Sequence, residues 1–410
     1  MASTRRPKVL FVTHKHPPSL GGMQRQSFEL VRNYRQIGDA SLIAYNSRYP
    51  VWMFFLIVVP WVAIKLAIER DIELIHGNDG LMGVFLTPFL VTRRKLFVTA
   101  HGLDIVLGSR LYQWWVRTWL RRFDGIIAVS WQTAEACIAR GIPEPKVGCV
   151  LNACDRDWTD DPDPGFTKWL KDEHGLDWGE KVIIASVGRP VPRKGFSWFA
   201  SEVLPKLPDT AVYLIVGPKA EESVGLRLLR AALPPSAFKS LCHAIGIGTD
   251  YVKLRDILET PNMAGRLVML GALSRDQLNQ LYLHAQILAM PNLKVDGDFE
   301  GFGLVAQEAA YNGALCLAAD ADGIPSAIRD GETGILLPSG APTPWVNKIA
   351  ELCAEPGRLE GLAMAFQQNV RADDYGWKHV ALAYRERFEK AFAAAHITPE
   401  RQAGSGGDQV

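Results

Sequence analysis

Several absences narrow the class of this 410-residue chain before any motif is read. Its six cysteines (Cys137, Cys149, Cys154, Cys242, Cys316 and Cys353) form no CxxC pair and no Cys/His ligand spacing, which argues against a disulfide scaffold or a structural zinc site. No charged-then-apolar leader precedes them, so a reducing cytosol is the expected compartment. The most apolar stretch, "VWMFFLIVVPWVAIKLA" (51–67), is broken by Pro60 and Lys65 and falls short of the roughly 20 residues of a membrane span. A buried helix beside the first sheet is expected there, with docking into a membrane interface as the other reading. No helix-turn-helix, zinc-finger or RNP-like motif is present, so nucleic acid is not expected as a partner. Neither half opens with a strand followed by GxGxxG, which excludes an NAD-dependent dehydrogenase.

What is present is the composition of a globular protein, 48% apolar and 22% charged, with a net charge of only +1. That balance hides an asymmetry. Residues 1–150 hold 19 Lys and Arg against 10 Asp and Glu, whereas residues 151–180 hold 3 against 9. The basic half is the one expected to meet an anionic surface.

Short apolar runs alternate with amphipathic ones: "KVLFVT" (8–13), a helix over 23–36, "SLIAY" (41–45), "IELIH" (72–76), "KLFVTAHG" (95–102), "GIIAVS" (125–130) and "KVGCVLN" (146–152). Strands separated by helices predict a parallel sheet of βαβ units. "DRDWTDDPDPGF" (155–166) reads as an exposed linker, within an acidic connection over 153–180. The alternation restarts with "KVIIASVG" (181–188), "AVYLIVG" (211–217), "RLVMLG" (266–271), "AQILAMP" (285–291) and "GALCLAAD" (313–320). The fold class is therefore α/β: two Rossmann-like, doubly wound domains facing one another, 1–152 and 181–372. A closing helix spans 373–396 and a compositionally disordered tail 397–410. The stretch 221–265 is an insertion whose role is not readable.

In "DFEGFGLVAQEAA" (298–310), Glu300 and Glu308 flank a glycine-bounded aromatic. A fully helical segment would put their Cα atoms roughly 12 Å apart. A retaining glycosidase needs carboxyl groups about 5–5.5 Å apart, so that pair is disfavoured, and a shared metal fails on the same spacing. Asp296 and Asp298 form a loop Asp-x-Asp of low specificity. Gly301 and Gly303 instead lead into a helix N-terminus, where free N–H groups and the helix dipole favour a phosphate. One elongated nucleotide sugar could place hydroxyl groups on Glu300 and Glu308 with its diphosphate between them. An acidic first-turn residue and a surface glutamate fit the spacing equally well.

The run "EGFGLVAQEAAYNG" resembles the E-x7-E motif of retaining GT-B glycosyltransferases of family 4, and the similarity covers most of the chain in the family's order. "VGRPVPRKG" (187–195) resembles the family segment whose Arg and Lys bind the donor diphosphate, here Arg189 and Lys194. "HPPSLGGMQRQSFELV" is similar to the glycine loop after the first strand, which carries over Gly21 and Gly22. "TAHGLD" (99–104) resembles the strand-end His-Gly-x-Asp, making His101 a hydrogen-bond partner of the donor sugar. Asn152 and Asp155 of "NACD" stand where Asn-Gly-Val-Asp is commoner, as hinge residues. "YGWKHVALAYRERF" resembles the C-terminal helix that crosses back onto the first domain, anchored by Trp377.

The resemblance implies transfer of a hexosyl group, with retained configuration and no metal or cofactor, from a nucleoside-diphosphate sugar to an acceptor hydroxyl. It implies Glu300 on the sugar, Glu308 on the ribose, and Arg189 and Lys194 on the diphosphate. Gly21, Gly22, Gly301, Phe302, Gly303 and Leu304 line the donor site, with His101 across the cleft. Charge stabilisation and positioning would then carry catalysis. GDP-mannose is the donor toward which "MPNLKVDGDFEGFG" leans, with a UDP-sugar as the other choice. A helical wheel of 109–123 groups Arg110, Arg117 and Arg121 with Trp114, opposite Tyr112, Trp119 and Phe123. Such a stripe suits an anionic lipid surface. The expectation is a cytoplasmic enzyme, peripheral on the inner face of the membrane, acting on a lipid-linked or cell-envelope glycan. A nucleotide-sugar epimerase and a non-catalytic sugar-nucleotide-binding subunit are the alternatives.

Overall fold

A computed structural model describes residues 6–19, 21–154, 156–218, 232–234 and 249–393. Asp155, Cys242, most of the 221–265 insertion, the end of the closing helix beyond Ala393 and the tail 397–410 lie outside the described residues.

The first half runs β1 (Lys8–Thr13), α1 (Gly22–Ile37), β2 (Ala40–Ala44), α2 (Val51–Ile68), β3 (Ile72–Gly77), α3 (Gly80–Leu86), β4 (Lys95–Ala100), α4 (Leu103–Val106), α5 (Arg110–Thr118), β5 (Gly125–Ala128), α6 (Trp131–Ile138) and β6 (Val147–Cys149). After α7 (Pro164–His174) come β7 (Val182–Val187), α8 (Phe196–Trp198), β8 (Ala211–Val216), α9 (Thr249–Leu258), β9 (Leu267–Gly271), α10 (Arg275–His284) and β10 (Ile287–Met290). The chain continues through α11 (Leu304–Tyr311), β11 (Leu315–Asp320), β12 (Ile335–Pro338), α12 (Pro342–Ala354), α13 (Pro356–Ala372) and α14 (Trp377–Ala393).

The strands form two parallel six-stranded sheets, ordered β2-β1-β3-β4-β5-β6 and β12-β11-β10-β7-β8-β9. Their uninterrupted apolar runs follow from burial on both faces. In the first sheet the winding reverses between β1 and β3, and in the second between β7 and β10. Crevices beyond the strand C-termini at such reversals are where open α/β sheets bind ligands.

Most strands lie where the alternation predicts them; β12 was not read from the sequence. The acidic connection departs from a simple exposed linker. Its described acids are exposed, but Asp163 caps α7, whose Phe166 and Leu170 are buried in the second core. The N–H groups of Thr159 and Asp163 are also held by Asn279 and Gln280 of α10. Hydrophobic spacing within 166–170 was the available signal, and the Asp/Pro/Gly density obscured it.

The apolar stretch at 51–67 is likewise not a buried helix. Phe54, Val58, Val62 and Leu66 pack into the first core, while most of the other large side chains of α2 face outward. By length and composition α2 could cross a membrane.

On the other face of the first sheet, α14 packs beside α1, and Trp377, Val380, Tyr384 and Phe388 complete the core around Phe11, Leu74 and Phe97. The Tyr384 hydroxyl shares a hydrogen bond with Thr99 Oγ1 at 3.0 Å and accepts one from Gln26 Nε2 at 3.3 Å.

Candidate active site

Strand β7 ends at Val187, and the turn that follows carries Arg189, Arg193 and Lys194. Gly195 closes it with φ +67°, its Cα so near the Pro291 carbonyl that a Cβ would come within 1.9 Å of that oxygen. Leu293 N–H donates to Arg193 O at 2.8 Å. The loops after β7 and β10, the two strands of the reversal, are thereby clamped together, and each delivers part of one charge cluster.

At its centre is Glu300. Its Oε2 lies 2.8 Å from Lys194 Nζ and 3.4 Å from Arg193 Nε, and accepts from Asn292 Nδ2 at 3.3 Å. Arg193 also holds Asp298 at 3.1 Å. Burial opposes ionisation of Glu300, but the Lys194 and Arg193 charges outweigh it and bring the carboxyl down to about 2. A carboxylate so stabilised contributes stability that is complete above its ordinary value near 4.5 and is lost as pH falls through about 2. Replacing Glu300→Gln is expected to flatten that acid limb, read as the urea midpoint followed against pH.

The Glu300 backbone is held from the second side. Its N–H donates to Asp322 Oδ2 at 3.1 Å and its carbonyl accepts from Gly323 N–H at 2.8 Å. Asp322 adopts φ +50° to do this, a conformation that aspartate tolerates better than most residues.

The next residues meet the first domain. A Cβ on Gly301 would lie 2.0 Å from the His101 carbonyl oxygen, and one on Gly102, at φ +95°, would lie 2.3 Å from the Phe299 ring. Gly22 faces Leu304, with 3.7 Å from its Cβ position to the Leu304 methyl. Two helix N-termini therefore approach across the interface: α1 after Gly21 and α11 after Gly303 (φ +95°), neither with a side-chain cap. Phe302 is buried beneath this junction and Leu304 packs on the cores of both domains. Beside it, α6 and the 294–299 loop border an open, shallow cavity of about 450 Å³ lined by Gln132, Glu135, Lys294, Phe299 and Asp322.

On the first-domain wall, His101 is buried at the end of β4, its Nε2–H donating to Asn78 O at 2.9 Å. Asp104 accepts from the N–H groups of His101 and Gly80, both at 2.8 Å, and so fixes this turn. From the other side, at the end of β1, His14 Nδ1 lies 3.1 Å from Asp79 Oδ2.

The structure brings together His101, Gly301, Glu300 and Lys194, and separately Gly22, Gly303 and Leu304. It does not bring Arg189 into the cluster: that side chain is exposed and forms no ion pair among the described residues. Glu308 sits along α11, where it accepts a hydrogen bond from Tyr282 at 3.4 Å. Sequence reading missed Arg193, Asn292, Asp322 and the His14–Asp79 pair. Arg193 was visible as the neighbour of Lys194 in "PRKG"; the others become neighbours only through the strand order.

Residues 4–158 match the family model for Glycosyltransferase Family 4, and residues 170–373 match that for Glycosyl transferases group 1. The chain belongs to the two-domain GT-B glycosyltransferases. Among curated relatives, the GT-B chain is 29% identical over 233 residues to a D-inositol 3-phosphate glycosyltransferase of Rhodococcus jostii, covering 56% of this chain and 44% of that protein. Its counterpart of the same name in Nocardia farcinica is 29% identical over 343 residues, 79% of this chain and 68% of the other. The chain thus spans less than half the length of the R. jostii relative. Anabaena HepE in complex with UDP superposes with TM-score 0.70 at 19% identity, covering 93% of this chain and 100% of that one. Sucrose-phosphate synthase from Thermosynechococcus elongatus gives 0.71 at 19%, covering 95% and 100%. At that identity the likeness speaks for the GT-B fold.

Proposed function

We propose that the protein moves a hexosyl group from a nucleoside-diphosphate sugar to a hydroxyl of a lipid-linked or cell-envelope glycan acceptor, retaining the anomeric configuration and using no metal. The observation that carries this reading is the pairing of the two sheet reversals, with two uncapped helix N-termini and the Lys194–Glu300–Arg193 cluster at their junction. A diphosphate suits the helix ends and the cations, which stabilise the negative charge of the leaving group. Glu300 is assigned to the sugar hydroxyls, Glu308 to the ribose, Lys194 and Arg189 to the diphosphate, and His101 to the sugar from the opposite wall. In front-face attack the new bond forms from the acceptor oxygen to the anomeric carbon. The departing phosphate oxygen takes both the electron pair of the broken bond and the hydroxyl proton. The cavity beside Phe299 and Gln132 is the space assigned to the acceptor.

For the donor, "MPNLKVDGDFEGFG" leans to GDP-mannose, while HepE structures holding UDP and UDP-glucose favour trying UDP-sugars alongside it. The relatives' name supports a phosphorylated polyol as an acceptor head group. The site of action is the cytoplasmic side, with the enzyme peripheral on the membrane.

A thermal-shift panel of UDP, GDP, ADP and their sugars, in EDTA and then in Mg²⁺, tests this. A ligand at 100 times its dissociation constant stabilises by about 2.7 kcal/mol. One base is expected to raise the melting temperature without metal, and Glu308→Ala to weaken that rise. No shift with any nucleotide would overturn the donor assignment.

A further inference from the structure

We infer that the outer layer of the first domain, formed by α2, α3 and α5, is a monotopic membrane-docking surface, with α2 lying in the plane of an anionic lipid bilayer. This deepens the peripheral reading above and stands apart from the transfer chemistry. The three helices cover the same face of the first sheet and share one core, while α1 and α14 occupy the opposite face.

Along α2, Phe54, Val58, Val62 and Leu66 recur every four residues and are buried. Offset by two positions, Trp52, Leu56, Pro60, Ile64 and Ile68 form the ridge on the other side. Four of them are 59%, 69%, 58% and 74% exposed, in the order Trp52, Leu56, Ile64, Ile68. An apolar ridge running the whole length of an 18-residue helix is far more than scattered surface hydrophobics. Leu81, Val91, Leu111 and Trp114, on elements packed over the same sheet face, are exposed as well.

Charge identifies the occupant. From 46 to 68 the chain has Arg48 and Lys65 and no acid; from 80 to 123 it has seven cations and a single acid, Asp104, whose carboxylate is turned inward onto two backbone N–H groups. Arg93, Arg110, Arg117 and Arg121 are exposed and form no ion pair among the described residues. An exposed apolar ridge with cations and tryptophans around it is the chemistry of an anionic lipid interface. A second copy of this chain fits worse, because a two-fold contact would set these arginines against their own counterparts. A span fits worse too: the buried stripe of α2 is part of the first core, and Phe55 stacks on Phe85 of α3 at 5.1 Å.

The test is flotation of the full chain with vesicles of phosphatidylcholine alone or carrying a quarter phosphatidylglycerol. Wild type is expected to float with the anionic vesicles only and to be released by alkaline carbonate. Leu56→Glu with Ile64→Glu is expected to reduce binding at least about tenfold, and Arg117→Glu with Arg121→Glu to remove its salt dependence. The nucleotide-induced thermal shift should survive in both, which separates this inference from the donor assignment. No flotation of wild type would overturn the inference. So would a concentration-dependent dimer broken by Leu56→Glu, which assigns the face to a second copy, or resistance to carbonate, which assigns α2 to a span.

Discussion

Replacing Lys194 by alanine is expected to lower transfer about a hundred- to a thousandfold in kcat, measured as nucleoside diphosphate release with acceptor present. The argument begins from the charge it balances. Lys194 is buried and its ammonium lies 2.8 Å from Glu300, so removing it leaves a partly buried carboxylate with only Arg193 and Asn292. Two consequences combine. The developing charge on the departing diphosphate loses a fixed partner, and Glu300 loses the contact that sets its orientation. Lys194→Arg should recover little, because a planar fork does not replace a compact ammonium in a site clamped by Gly195. By contrast, Arg189→Ala should cost no more than about tenfold, since that side chain is exposed and joins no ion pair among the described residues. Equal losses for Arg189 and Lys194 would show that the exposed arginine swings into the cluster on binding.

Gly301→Ala is expected to have an effect of similar size for a different reason. Gly301 has an ordinary negative φ, so alanine is acceptable to the local backbone, but its methyl would lie 2.0 Å from the His101 carbonyl oxygen of the other domain. The domains must then part by an ångström or more. A shift of about 1 Å at reacting groups can cost on the order of a hundredfold in rate. Each domain keeps its own core, so thermal stability should change by less than about 1 kcal/mol. A variant with the wild-type melting temperature, intact nucleotide-induced shift and collapsed transfer is the expected outcome. Wild-type activity would show that transfer does not need the contact of Gly301 with His101.

The layered βαβ organisation was legible because buried parallel strands must be apolar runs and their crossovers amphipathic. Lys194 and Glu300 could be paired from motif order, but their 2.8 Å contact depends on β7 and β10 being adjacent, which a linear reading cannot supply. Asp322 was invisible for the same reason: nothing in "ADADGIPS" says that one aspartate takes a left-handed backbone to hold a residue 22 positions earlier. Helix α2 misled in the other direction. A run apolar on every side carries no helical periodicity, so composition alone could not show that one stripe would be buried and the opposite ridge exposed.

The packing of α14 against α1 has a consequence for how the protein comes into being. Phe11, Leu74 and Phe97, made before the second domain, are sealed by Trp377, Val380, Tyr384 and Phe388, which are made after it. That face of the first domain therefore waits, covered only by α1, while the second domain is translated and folds. A chain stopped before residue 377 would leave that face without α14, and a protease that clips α14 would undo a core built from residues far upstream of the cut.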